Sequence, residues 1–212
     1  MQELTLLDQI GQRDVDKEHI VDSVAQTPEL IPIVIEGLDA KQASVKYGCA
    51  KVLRILSEKY PELLYPRIDF FVSLLDNNAN VLKWEGIHVI GNLATVDSEN
   101  KIDKIIDKYL EPIPGPVLVT AANIIGGAAK IASAKPYLAD RISIAILQVE
   151  NAKYQTTECR NVALGHAIKS FNQFFDHIEN KTPVIELVTR QLENPRNGTR
   201  KTAAQFAKKR CC

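Results

Sequence analysis

A leucine recurs through this chain at a nearly constant interval, each time followed by turn-forming residues and a new apolar-periodic segment. Leu38, Leu75, Leu110, Leu147 and Leu192 are separated by 37, 35, 37 and 45 residues. Turn-like stretches follow four of them: Asp39-Ala40-Lys41-Gln42, Asp76-Asn77-Asn78-Ala79-Asn80, Glu111-Pro112-Ile113-Pro114-Gly115-Pro116 and Glu193-Asn194-Pro195-Arg196-Asn197-Gly198. Asp, Asn, Pro and Gly are the residues that end one helix and cap the next. Eight residues beyond the same four leucines, at Lys46, Lys83, Leu118 and Arg200, a second helix should be under way. After Leu147 the register slips, and the second helix is expected to start between Gln155 and Glu158 behind a longer loop. A period of this length predicts helix pairs that cannot bury their apolar faces alone and must stack on their neighbours.

The segment Val81 to Ala94 shows what one second helix looks like. At 100° per residue, Ile87, Ile90, Gly91 and Ala94 fall together, with Leu93 and Val89 beside them. His88, Asn92 and Glu85 fall on the other side, as a narrow polar stripe. So wide an apolar arc belongs to a helix covered on most sides. Gly86 and Gly91 cost roughly 1 kcal/mol each relative to alanine in mid-helix, and the close approach of a neighbouring helix would explain them.

The second segments align by content. Lys46-Tyr47-Gly48-Cys49-Ala50 lies over Lys83-Trp84-Glu85-Gly86-Ile87, followed by Leu118-Val119-Thr120-Ala121-Ala122, Arg160-Asn161-Val162-Ala163-Leu164-Gly165 and Arg200-Lys201-Thr202-Ala203-Ala204. A turn Asp or Asn after a leucine, then a basic residue, paired small residues and an Ala-Leu-Gly-like step resembles the HEAT-repeat family. Ala163-Leu164-Gly165 and Val89-Ile90-Gly91 are the clearest of those steps. The resemblance implies an all-α, right-handed α-α superhelix, armadillo-like in outline, with second helices lining a concave side. It gives about five helix pairs over residues 28–210 and a capping pair within residues 1–27, near 3–10 and 15–26. Residues 1–212 are then one domain. Departures are the Pro-rich turn and Ala/Gly-rich second helix of the third repeat and the longer loop of the fourth.

Composition narrows the classes. At 45% hydrophobic and 25% charged residues the chain can bury a core. Its formal net charge is zero, which argues against a generally basic nucleic-acid binder. The distribution is uneven, however. Residues 1–29 hold seven acidic side chains (Glu3, Asp8, Asp14, Asp16, Glu18, Asp22, Glu29) against Arg13 and Lys17, whereas residues 194–212 hold six basic ones and no acid. Head-to-tail self-association is one use of such polarity. The four cysteines, Cys49, Cys159, Cys211 and Cys212, lack metal-ligand or disulfide-framework spacing, and a reducing, cytoplasmic setting is expected. The N-terminus lacks an apolar signal core, and no apolar run is long enough for a membrane span.

Candidate binding residues come from the repeat alignment. Lys51, His88 and Asn123 are equivalent, Gln205 matches in the last repeat, and Asn161 is the nearest polar residue in the fourth. Such a polar ladder suits an extended peptide or partner helix, and Trp84 at its border could anchor one. A solvated face, and a core role for Trp84, are the bland readings of the same residues. The basic C-terminal patch, Arg196, Arg200, Lys201, Lys208, Lys209 and Arg210, could meet phosphates. The terminal Cys211-Cys212 reads as a pair of free thiols or, more sharply, as a prenylation site. His19, His88, His166 and His177 show no metal-binding spacing, and no nucleophile elbow or phosphate loop is present. No metal or cofactor is expected. The chain reads as a non-enzymatic scaffold for a protein or peptide partner. The alternative is nucleic-acid binding, in the manner of the HEAT-like DNA-alkylation-repair glycosylases, although their Trp, Asp and Arg constellation has no matching positions here.

Overall fold

A computed structural model describes residues 5–210 of the chain. Glu3, Cys211 and Cys212, with the readings placed on them, lie outside the described residues. The chain divides into two compact units, Met1–Val96 and Asp97–Cys212. Every regular element among the described residues is helical, and none of the helices is long and apolar enough to cross a membrane.

The first unit opens with a capping pair, α1 (Leu6–Gly11) and α2 (Lys17–Gln26). Thr5 and Asp8 form a reciprocal capping box at α1, and Asp16 caps α2 by accepting the Glu18 N–H at 2.9 Å. The first repeat pairs α3 (Ile31–Glu36) with α4 (Ala43–Lys59). In the second, the short α5 (Pro61–Leu64) and α6 (Ile68–Ser73) precede α7 (Asn80–Leu93). The second unit holds three pairs: α8 (Lys101–Leu110) with α9 (Leu118–Ala134), α10 (Ala139–Leu147) with α11 (Thr157–Phe174), and α12 (Thr182–Gln191) with α13 (Asn197–Arg210). The second helices thus begin where the leucine spacing puts them, including α11 behind its longer loop. That loop is pinned by Tyr154, buried with its hydroxyl donating to the Ile113 carbonyl.

The first helices α3, α6, α8, α10 and α12 are short, six to ten residues each. Several end in 3-10 turns, at Gly37–Asp39, Leu74–Asp76 and Gln148–Asn151. Leu38 and Leu75 lie inside these turns rather than on the last α-helical turn. Tight i to i+3 bonds, such as Asn77 N–H to the Leu74 carbonyl at 3.0 Å, satisfy carbonyls that an α-helix end would leave bare.

Within each unit, polar side chains tie one repeat to the next at about one period of sequence. Lys59 reaches Glu18 and Asp22, Arg54 reaches Glu85, Arg141 reaches Asp107, Arg190 reaches Glu150 and Arg210 reaches Asp176. Most of these pairs are solvent-exposed and add little individually. Their spacing nevertheless records the repeat in side-chain chemistry as well as in helices.

Gly86 answers the question posed by the glycines of α7. A Cβ there would stand 2.8 Å from the Phe71 carbonyl oxygen and 2.9 Å from Leu74 Cβ. The first-helix backbone therefore lies directly against the second helix. Gly86→Ala is expected to destabilise the first unit by about 1–2 kcal/mol, overpacking outweighing the gain in helix propensity. The urea midpoint followed by Trp84 fluorescence measures this.

The polar stripe of α7 is corrected by the structure. Glu85 is 7% exposed and Asn92 is 8% exposed, while His88 is half-buried. The flank of α7 that carries Glu85 and Asn92 meets α4, where Arg54 holds one Glu85 oxygen at 2.7 Å and Ser57 accepts from Asn92 at 2.8 Å. Single-helix geometry divides a surface into two faces, but a helix inside a repeat stack has neighbours on its flanks as well. Among the described residues the second Glu85 oxygen is buried without a hydrogen-bond partner. Burial, only partly opposed by Arg54, pushes this carboxyl up from 4.5 to about 7. The folded state therefore holds its proton more tightly than the unfolded chain does. Stability should fall as pH rises from about 4.5 to about 7, by up to roughly 3 kcal/mol, and then level off. Urea midpoints at pH 5 and pH 8 would show the loss, and Glu85→Gln should remove most of it.

Candidate functional site: the exposed face of the second helices

Each second helix buries one side in its unit and leaves a strip on the other that is exposed or half-buried. In the first unit Lys51 is exposed on α4, and Trp84 and His88 are half-buried on α7. In the second unit Asn123 is half-buried on α9 and Gln205 is exposed on α13. Asn161 does not join this strip. It is 7% exposed, its side-chain oxygen accepts from Asn194 Nδ2 at 3.2 Å, and its carbonyl accepts from Thr199 Oγ1 at 2.6 Å. It fastens α13 and its preceding loop to α11. It points inward because Asn194 and Thr199, at the loop before α13 and the start of that helix, close over it.

The helix starts give a cleaner register. Lys51, His88 and Gln205 are each the ninth residue of their helices, counted from Ala43, Asn80 and Asn197. The ninth residue is Gly126 in α9, counted from Leu118, and Gly165 in α11, counted from Thr157. A Cβ at Gly126 would meet nothing within 4 Å, whereas one at Gly165 would stand 3.0 Å from Thr199 Oγ1. The polar ladder of the sequence is thus interrupted in the second unit by two bare positions. Beside Gly165, His166 and Lys169 are exposed on α11. Alignment by residue type passed over them, because it sought a polar residue where the repeat has a glycine. Counting from the Thr156 cap, whose hydroxyl accepts the Cys159 N–H at 3.1 Å, finds them.

His166 and Lys169 line a cavity of about 140 Å³ between α11 and α13, together with Val162, Gly165, Arg196 and Thr202. Burial, then the nearby Lys169 and Arg196 charges, lowers the His166 pKa from 6.5. A second cavity, about 360 Å³, lies between α8 and α10 on the first-helix side. It is mainly apolar, with Leu110, Pro114, Ile144 and Ala145 in its walls and the Asp107–Arg141 pair beside them.

The basic C-terminal patch is partly occupied within its own unit. Arg196 pairs with Glu158, and Arg210 reaches Asp176 at 2.8 Å and Asn172 at 3.1 Å. Arg200 donates to the Asn194 carbonyl at 2.7 Å. Lys201, Lys208 and Lys209 are exposed. At the acidic head, Asp8 and Asp16 serve as caps and Glu18 and Asp22 pair with Lys59.

Charge is sorted between helix layers. In the second unit the second helices carry Lys130, Arg160, Lys169, Arg200, Lys201, Lys208, Lys209 and Arg210 against the single acid Glu158. The first helices α8, α10 and α12 are mixed, with Asp103, Asp107, Asp140 and Glu186 among their cations. Overall neutrality therefore conceals a positive face. Among the described residues no three His, Cys, Asp or Glu side chains converge as a metal site. Cys49 is buried, and burial pushes its thiol up to about 11, which keeps it protonated at neutral pH.

No family model and no curated protein matches the sequence. Solved structures do match in fold. A designed armadillo repeat protein superposes with a TM-score of 0.55 at 14% identity, over 97% of this chain and 99% of that one. An engineered protein from a structural genomics consortium also gives 0.55, at 13% identity over 97% and 87% of the two chains. Another engineered protein gives 0.54 at 14% identity over 95% of this chain and 51% of its own. Identities this low speak to architecture alone, and the architecture they show is an all-α helical-repeat solenoid.

Proposed function

We propose that this protein is a non-enzymatic scaffold of the HEAT-repeat type that holds a protein or peptide partner on the exposed face of its second helices. The observation that carries this reading is the sorting of charge between the helix layers of the second unit. In the first unit Lys51 and His88 hold the ninth position of their helices, with Trp84 one turn before His88; in the second unit Gln205 holds it on α13 and Asn123 lies three residues before it on α9, all on helices backed by a packed core. Contacts set on stacked helices are preorganised, so little ordering entropy is lost when a partner settles on them. Trp84 offers the large, amphipathic surface that interface anchors use.

The test is to select peptides from a random display library on the immobilised full chain and map the bound state by hydrogen exchange. Added protection confined to second helices, α4 and α7 of the first unit or α9, α11 and α13 of the second, is the expected result. Protection confined to α3, α6, α8, α10 and α12 would overturn the reading. A labelled duplex titrated across a salt series completes the experiment. Weak binding at physiological salt is expected. Micromolar affinity that collapses with salt and is lost in Arg200→Ala with Lys201→Ala would put nucleic acid in the partner's place.

A further inference from the structure

The cavity between α11 and α13 has a chemistry of its own on the second-helix face. Gly165 leaves its floor bare, for even a methyl group there would press on Thr199 Oγ1 at 3.0 Å. Lys169 and His166 stand on the α11 side, and Arg196 enters from the turn before α13. No carboxylate is among the lining residues. Glu158 pairs with Arg196, but a guanidinium has five N–H donors and one carboxylate does not exhaust them. The two threonine hydroxyls of the cavity are already directed elsewhere. Thr199 donates to the Asn161 carbonyl at 2.6 Å and Thr202 to the Gly198 carbonyl at 2.9 Å. The donors left for a ligand are thus nitrogen groups: the cationic Lys169 ammonium and Arg196 guanidinium, and an N–H of the His166 imidazole.

We propose that this cavity is an anion pocket that receives one carboxylate or phosphorylated side chain of an acidic peptide lying along α9, α11 and α13. The inference rests on the reading that the second-helix face binds a peptide, and it specifies the partner's charge and the point at which that charge is read. A volume of about 140 Å³ accommodates one anionic group. Charge complementarity extends beyond the pocket, since the three second helices of this unit carry eight cations and one acid. Next to it, α9 presents Val119, 48% exposed, and the open position at Gly126. A peptide can fill such a surface with side chains, whereas a nucleic-acid backbone needs a row of free cations along its path. Here Arg200 and Arg210 are already engaged by acceptors of their own unit.

The experiment uses the full chain at physiological salt and four labelled short peptides of equal length: neutral, basic, glutamate-containing and phosphoserine-containing. A duplex of similar length is the fifth probe. The His166 imidazole resonances report on the pocket itself. The glutamate or the phosphoserine peptide should bind more tightly than the neutral one and shift those resonances. The better of the two identifies which anion is read. Lys169→Ala, an exposed substitution, should weaken that binding roughly tenfold or more, as expected for one charge-assisted hydrogen bond. Lys104→Ala, at an exposed lysine of the first helix α8, should leave it nearly unchanged. Circular dichroism of both variants guards against misfolding. If neutral or basic peptides bind and protect the second helices while acidic ones gain nothing, the anion pocket is wrong and the scaffold reading stands. If no peptide binds at all, both fall. Tight duplex binding with no acidic-peptide binding overturns the pocket in favour of nucleic acid.

Discussion

Lys135→Met is expected to destabilise the second unit by about 3–5 kcal/mol, the cost of breaking a buried ion pair from one side. The ammonium of Lys135 sits 3.0 Å from Asp97 and 2.9 Å from Asp103, and also meets Asn100 Oδ1 at 2.8 Å and the Tyr137 hydroxyl at 2.9 Å. Its side chain is 6% exposed and that of Asp97 is 0% exposed. Burial works against the charge, but the bonds to Tyr137, Asp103 and Asp97 outweigh it and hold the pKa above the ordinary lysine value. Asp97 has a second task, accepting the Lys101 and Ile102 N–H groups at 2.9 and 3.0 Å at the start of α8. Without Lys135 the buried Asp97 carboxylate loses this ammonium, and the helix start that it supports is weakened with it. Urea unfolding followed by circular dichroism measures the effect. Adding Asp97→Asn should recover part of the loss, because the buried charge goes while one acceptor for α8 stays. A shift no larger than that of Lys104→Met, at an exposed lysine of the same unit, would show that the cluster is not a structural lock.

Phe71→Ala should cost the first unit a similar amount, about 3–5 kcal/mol, through lost burial and a cavity that the surroundings cannot close. Phe71 is 1% exposed, packs edge-on against Phe70 with centroids 5.3 Å apart, and belongs to the α6 backbone that lies on Gly86. The chain has one tryptophan, Trp84, so fluorescence follows the first unit whereas circular dichroism follows both. In a repeat protein, stability is approximately a sum of local terms and neighbour interfaces. Phe71→Ala should therefore move the fluorescence transition well below the main circular-dichroism transition, and Lys135→Met should do the reverse. Coincident transitions in both variants would mean that the two units unfold as one.

The repeat was legible because it is written in spacing. Leucines at a fixed interval, with Asp, Asn, Pro and Gly behind them, locate the second helices and even the late start of α11. The N-terminal pair sits close to the expected stretches 3–10 and 15–26, and its caps, Thr5 with Asp8 and Asp16 before Glu18, act within one helical turn. The candidate face was only partly legible. Lys51, His88 and Gln205 share a register that residue type finds, but Gly126 and Gly165 hold the same place in their helices, and a search for polar side chains skips them. Such a search misses His166 and Lys169 beside Gly165 and lands on Asn161, which faces inward.

What the sequence determined by itself is what depends on near neighbours: helix starts, caps, turns, the period, and therefore the class of fold. What only tertiary structure decided is which polar groups lose their water. Glu85 and Asn92 look solvent-facing on an isolated helix and become buried because α4 covers their flank. Lys135 and Asp97 look like ordinary surface charges and become a buried pair because two loops meet. The C-terminal arginines look like a free basic patch and are held by carboxylates and carbonyls about one repeat earlier or in the adjoining turn. Burial and charge pairing are set by groups some thirty to forty-five residues away, and no local pattern carries that information.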